Sequence, residues 1–267
     1  MNEDLQKEKF RRLTEEPVEK LVLQLSVPTI ISMLITSFYN MADTFFVGKI
    51  NNSATGAIGV VFSLMAIIQA CGFLFGHGSG NYISRELGMQ DTDKAAKMAA
   101  IGFVSSFLFG LLITIVGLLF LEPLARLLGS TETILPYAVD YLRYIVIGAP
   151  FMTASLTLNN QLRFQGSAVF GMVGITFGAV LNVALDPLLI FGFHLGISGA
   201  AIATVISQIS SFIILLVCCS KKGNIRISLR NFTPRASFFK EIIKGGAPSL
   251  VRQGFSSVAA ICLNFMA

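Results

Sequence analysis

The sequence predicts an all-α integral membrane protein: a lobe of six transmembrane helices followed by part of a seventh. Three observations carry this reading. Hydrophobic residues make up 54% of the 267 residues and charged residues 13%, against ~25% charged in an ordinary soluble domain. The apolar residues gather in blocks about as long as the ~20 residues that cross a bilayer as a helix. Basic residues cluster between the blocks, on one side of the membrane.

The complete spans are expected at 24–47, 55–78, 98–121, 138–160, 169–193 and 200–219, with a partial span from 245 to the end. Cytoplasmic loops carry an excess of lysine and arginine. With the N-terminus inside, Lys7, Lys9, Arg11, Arg12 and Lys20 are cytoplasmic. So are Arg85, Lys94, Lys97 and Arg163, and the basic run from Lys221 and Lys222 to Lys244. Only Lys49, Arg126 and Arg143 fall outside. This orientation places the chain in a cell membrane as a multi-pass protein. The first twenty residues are polar and mixed in charge, with no apolar signal-peptide core.

Three parts follow from the pattern: a six-helix lobe (1–220), a basic cytoplasmic linker (221–244) and the start of another helix (245–267). In the linker, Phe238, Phe239, Ile242 and Ile243 share one helical face among basic residues. An interfacial helix and a solvated connection both fit. Segment 247–267, "APSLVRQGFSSVAAICLNFMA", echoes 27–47, "VPTIISMLITSFYNMADTFFV", with Pro248 against Pro28. The echo implies a repeat whose second six-helix set this chain lacks. Such repeats are common in secondary transporters, with the substrate site at their interface.

Two acids lie inside spans, Asp43 and Asp186. A charge at the centre of a membrane helix costs ~2.5–3.5 kcal/mol on insertion scales, so it faces protein or water and is a functional candidate. Both sit in the outer halves of helices that run outward, so one pocket can hold both. Asn182 precedes Asp186 by one turn and Asn40 lies three residues before Asp43, each on its partner's face. Pro187 removes a backbone donor and loosens the helix, freeing a carbonyl. Carbonyl, amide and carboxylate oxygens suit a small hard cation; a desolvated carboxyl also suits a proton relay. The residues leave both readings open.

Other functions find no support. "GFLFGHGSGN", Gly72 to Asn81, has its glycines on one face for close helix packing, and no Gly-Lys-Ser/Thr follows as a phosphate loop needs. Cys71, Cys218, Cys219 and Cys262 have neither disulfide nor zinc spacing. His77 and His194 stand alone. No nucleophile–base set is visible, so an enzyme is not expected, and neither is a nucleic-acid partner. Any driving force must be an ion gradient, unless a partner supplies the energy.

"PTIISMLITSFYNMADTFFVG", "ISRELGMQDTDKA" and, above all, "FGAVLNVALDPLLIFGFHLGISGAAIATVISQ" resemble the first helix, first cytoplasmic loop and fifth-to-sixth helices of the multidrug and toxic compound extrusion (MATE) transporters. The resemblance runs from about residue 17 to 267, and the acid on the first helix is similar to the DinF-like bacterial branch. It implies one lobe of a twelve-helix, two-lobe fold that alternates access by rocking. It also implies antiport: H⁺ or Na⁺ in, an organic cation or drug out, with membrane lipid around it and no cofactor beyond the coupling ion. Carried over by motif, the coupling site is Asp43, Asn182, Asp186 and Thr204, the set that would hold Na⁺ if that is the coupling ion, with Tyr141 and Asn159 near it and bends at Pro28 and Pro187. Without the resemblance, Thr204, Tyr141 and Asn159 read equally well as packing or interface residues. A chain without most of the second lobe is not expected to transport alone.

Two rival readings stand beside this. One is a flippase for lipid-linked saccharides, whose cavities are rich in arginine; the only near-membrane arginines expected from the sequence are Arg143 and Arg252, which counts against it. The other is a non-transporting membrane scaffold, in which the buried acids serve packing only.

Overall fold

A computed structural model describes residues 3–221 and 223–266; Lys222 and the side chain of Lys7, two of the charges used for orientation, lie outside the described residues. Among them there is no strand. The helices are α1 (Glu3–Glu15), α2 (Val18–Gly48), α3 (Asn52–Gly88), α4 (Thr92–Leu119), α5 (Leu121–Leu127), α6 (Leu135–Phe164), α7 (Ala168–Pro187), α8 (Gly196–Cys219) and α9 (Ala236–Met266). A π turn, Leu188–Gly192, extends α7. Six of these elements are long and apolar enough to cross a membrane: α2, α3, α4, α6, α7 with its π turn, and α8. The chain is a multi-pass membrane protein.

The helices outrun the apolar blocks that signal them. Thus α3 continues ten residues past 78, and α4 starts at Thr92 rather than 98. Hydropathy senses the hydrocarbon, whereas a helix ends where its backbone groups are capped. Asn51 caps α3, accepting from the Ala54 N–H at 2.7 Å. Asp91 caps α4 through the Lys94 N–H at 3.0 Å. That bond, with the Lys94 ammonium, holds the Asp91 carboxyl below its usual range.

Of the spans, α6 is the most enclosed, with 72% of its apolar window buried against 11% for α2. It packs on α3, α4 and α8, while α2 lies at the edge against α7. The main core joins α3 and α6 through Ile68, Leu142 and Ile145. α2 stays helical through Pro28, whose carbonyl accepts from Ser32 Oγ at 2.8 Å.

At the end of the bundle that carries α1, Lys9 donates to Ser167 Oγ at 2.7 Å, the Gly223 carbonyl at 3.2 Å and Asn224 Oδ1 at 3.2 Å. The first helix is thereby tied to the α6–α7 turn and to the segment after α8. Burial, and then the charge of Arg12, lower the Lys9 ammonium to about 8.

Among the described residues of 221–244 there is no separate interfacial helix. Residues 223–235 run as a loop with one 3₁₀ turn, Leu229–Asn231, and α9 begins at Ala236, nine residues before 245. Phe238 and Ile242 are buried against Ile83, Ala95 and Met98, while Ile243 stays exposed. The amphipathic face expected there covers protein rather than a lipid surface. Close backbone approach makes this docking possible. A Cβ on Gly78 of α3 would run into the Ile242 carbonyl, and one on Gly246 of α9 into the Leu74 carbonyl. Small residues let membrane helices meet in this way.

Gly78→Leu is expected to lower the melting midpoint of the detergent-solubilised chain by about 5 °C or more, because the overlap is with backbone and cannot be relieved by a rotamer. Gly88→Ala, which meets nothing within 4 Å, is the control and should leave the midpoint unchanged.

Candidate ion and ligand site

Four helices meet around two carboxylates near the end of the bundle opposite α1. Asp43 comes from the C-terminal part of α2 and is 5% exposed; Asp186 comes from the last turn of α7 and is fully buried. Tyr141 Oη of α6 donates to Asp43 Oδ2 at 3.3 Å. Asn182 Nδ2 donates to Asp186 Oδ1 at 3.4 Å and to Thr204 Oγ1 of α8 at 3.4 Å. Asp43 and Asp186 lie close enough to act on one another electrostatically. Pro187 then ends the regular α7 ladder. The wider π turn follows, closed by the Phe193 N–H on the Leu188 carbonyl at 2.9 Å; such turns are frequent at functional sites.

Three oxygens in this cluster are buried and accept no hydrogen bond: Asp43 Oδ1, Asp186 Oδ2 and Asn182 Oδ1. An orphaned buried acceptor is costly unless a partner arrives. Two like charges in one buried pocket also repel unless a cation or a proton sits with them. The donor set is all oxygen, from carboxylate, amide and hydroxyl, which suits a hard cation. Among the described residues, no group of three or more His, Cys, Asp or Glu side chains could hold a metal ion, so a cation here would depend on amide and hydroxyl oxygens beside the two carboxylates.

Beside the cluster lies an open-sided cavity of about 460 Å³ lined by α2, α3, α6, α7 and α8. Asn182 and Thr204 line it, whereas neither carboxylate does. The acids therefore stand one layer behind the wall: Asp186 is joined to it through Asn182, whose amide also donates to Thr204, while Asp43 accepts from Tyr141. From α8, Thr204, Ser207, Gln208 and Ser211 face the cavity at i, i+3, i+4 and i+7. Ser207 Oγ and Gln208 Oε1 are again buried without a partner.

Residues 28–188 match the MatE family. The chain belongs to the MatE family. It is 30% identical over 252 residues to the multidrug export protein MepA of Staphylococcus haemolyticus, covering 94% of this chain and 56% of that one. The chain thus spans about half the length of the curated relatives it matches. An outward-facing structure of a multidrug-resistance MATE transporter of the MOP superfamily superposes with a TM-score of 0.83 at 30% identity, over 91% of this chain and 54% of that one. A MOP-superfamily transporter from Pyrococcus furiosus, described as having a binding pocket of reversed polarity that suggests a different function, gives 0.84 at 29% identity over the same 91% and 54%.

In this MatE chain Asp43, Asp186, Asn182, Thr204 and Tyr141 form one connected neighbourhood. Asn159 lies elsewhere in the cavity wall and takes no part in those bonds. Asn40 shares the helix face of Asp43, yet its side chain makes no hydrogen bond among the described residues; its backbone carbonyl accepts from Thr44 at 2.9 Å. Pro28 is buried in α2, outside the cluster. Sequence reasoning passed over three groups. Tyr39, one turn before Asp43, lines the cavity. The polar stripe of α8 was legible as four polar residues at helical spacing in an apolar run. Arg163, assigned to the cytoplasmic side as a loop charge, also lines the cavity, so the near-membrane arginines number more than Arg143 and Arg252.

Asp186→Asn keeps the shape of the side chain and removes a buried charge with an orphaned oxygen. The melting midpoint of the purified chain at pH 8 is expected to rise by at least about 2 °C. A fall would mean that the carboxylate is held by interactions stronger than those described.

Proposed function

We propose that this chain is the N-terminal lobe of a bacterial ion-coupled exporter that moves organic cations or drugs out of the cell, and that it is a transporter rather than an enzyme. The N-terminus is cytoplasmic, and the lobe works with a second six-helix lobe that these 267 residues do not include. The observation that carries this reading is the position of Asp43 and Asp186: buried, each with an orphaned oxygen, and one layer behind a drug-sized cavity. The printed names of the relatives, multidrug export and multidrug resistance, favour the same substrate class.

H⁺ or Na⁺ enters from the outer side and binds between the two carboxylates. Their negative field in the cavity falls, and Asn182 and Thr204 turn toward the ion. An organic cation held beyond that wall then binds less tightly and leaves outward. A bend of α2 at Pro28 or near Asp43 accompanies ion binding, and the loosened helix at Pro187 lets the Asp186 end of α7 follow. Release of the ion to the cytoplasm resets the lobe. No catalytic residue and no cofactor takes part.

The test uses the two-lobe protein in proteoliposomes loaded with a fluorescent organic cation. An imposed H⁺ gradient, or an imposed Na⁺ gradient, is expected to drive efflux, and Asp43→Asn with Asp186→Asn is expected to abolish it. Gradient-driven efflux retained in the double variant would contradict the assignment. Efflux under neither gradient in folded wild type would favour the flippase or scaffold.

A further inference from the structure

We infer that Arg163 makes the α1 end of the cavity an anion-binding pole, so that the cavity takes dipolar amphiphiles: a planar cationic body with a carboxylate at one end. This rests on the reading of the cavity as a ligand site, and it adds the chemistry that orients the ligand.

Among the described residues, the cavity wall carries one charged side chain, Arg163, and it is positive. Among the described residues lining the space there is no aspartate or glutamate, because Asp43 and Asp186 stand behind Asn182 and Thr204. Arg163 lies in the last turn of α6. Its described hydrogen bond runs from Nη1 to Asn160 Oδ1 at 3.4 Å, and it forms no ion pair among the described residues. A guanidinium keeps its charge and offers five N–H donors in a planar fork. One long bond to an amide leaves most of that fork available. Charged side chains at membrane depth normally have a partner or line a functional pathway.

The surroundings reinforce the sign. His77 lies within electrostatic range of both Arg163 and Arg252. A neighbouring cleft that shares Ala168 with the cavity is lined by Lys9 and Arg12, with Glu8 as its one acid. Arg12 of that cleft is paired with Glu16 at 4.0 Å, so Arg163 is the cation that faces the cavity itself at this end, while the far end feels two buried carboxylates. From Ala168 to Asn182, α7 advances ~20 Å at ~1.5 Å per residue, about the length of a polycyclic drug. Between the poles the wall sets the apolar side chains of Met33, Phe73, Leu156, Met172 and Ile175 beside uncharged polar ones, including the α8 stripe of Ser207, Gln208 and Ser211. Such a wall suits a flat aromatic body, and the fork of Arg163 suits a carboxylate in two-pronged geometry.

The probes are a fluorescent xanthylium dye bearing a free benzoate and the methyl ester of the same dye, which differ only in the anionic group. Binding to the 267-residue chain in phosphatidylcholine nanodiscs is followed by fluorescence anisotropy. The acid is expected to bind wild type about tenfold more tightly than the ester, the ratio that one good charge-assisted hydrogen bond supplies. Arg163→Gln should erase this preference while leaving the ester within about twofold of its wild-type affinity, which also shows that the variant is folded. Arg163→Lys should retain part of the preference.

Equal binding of both dyes to wild type would overturn the inference and leave the cavity reading intact. So would a preference that survives Arg163→Gln, or a loss of both dyes together in that variant. Binding of neither dye to wild type would overturn the cavity reading itself. Replacing part of the lipid with phosphatidylglycerol separates the two sources of an anion. Unchanged acid binding supports a soluble carboxylate ligand; selective loss of acid binding in wild type would assign Arg163 to a lipid headgroup instead.

Discussion

Two carboxylates held out of water in one pocket are the constraint on which the rest of this structure depends. Each costs desolvation, and each raises the cost of the other. Hydrogen bonds from Tyr141 and Asn182 meet part of that demand, at 3.3 and 3.4 Å, and the remaining oxygens stay unmet. A protein selected only for stability would fill this space with apolar side chains. Retaining the acids makes sense where the deficit is met by something that comes and goes. A small cation or a proton is the species that fits oxygen ligands in a space closed by four helices.

The packing around the site divides into fixed and yielding parts. The α6 helix is the enclosed axis, and the contact of α3 with α9 is set by backbone meeting backbone at Gly78 and Gly246. Neither can shift without a clash. By contrast, α2 is peripheral, contains Pro28 and presents its apolar face outward, while the Asp186 end of α7 runs into Pro187 and a π turn. Both acids are thus carried by the helices with the least regular or least enclosed surroundings. Tyr141 and Thr204, on α6 and α8, hold the other side of the pocket.

Most of the architecture was legible because the bilayer imposes one simple rule, that apolar blocks of sufficient length become helices. Asp43 and Asp186 were legible for the converse reason, since a charge inside such a block demands an explanation. Asn182 followed from one-turn spacing. Tyr141 and Thr204 came from the family resemblance and not from spacing, because a tyrosine or threonine in a membrane helix has several ordinary uses that spacing alone does not separate. The start of α9 was misplaced because Phe238 and Ile242 alternate with charges, a pattern that reads as interfacial until Ile83 and Met98 are seen covering it. The cavity role of Arg163 escaped a reading that counted charge by loop, since an arginine at a helix end can turn its head inward.

Under the proposed function, ion loading at Asp43 and Asp186 is coupled to ligand binding in the neighbouring cavity through Asn182 and Thr204, and linkage makes such coupling reciprocal and measurable without transport. The most direct measurement is the affinity of the chain in nanodiscs for a cationic dye ester as Na⁺ is raised at fixed pH, and as pH is lowered without Na⁺. The affinity should fall by at least about fivefold along one of these axes in wild type, and along neither once Asp43→Asn and Asp186→Asn are combined. An affinity that does not respond to either ion in wild type, or that responds equally in the double variant, would contradict it.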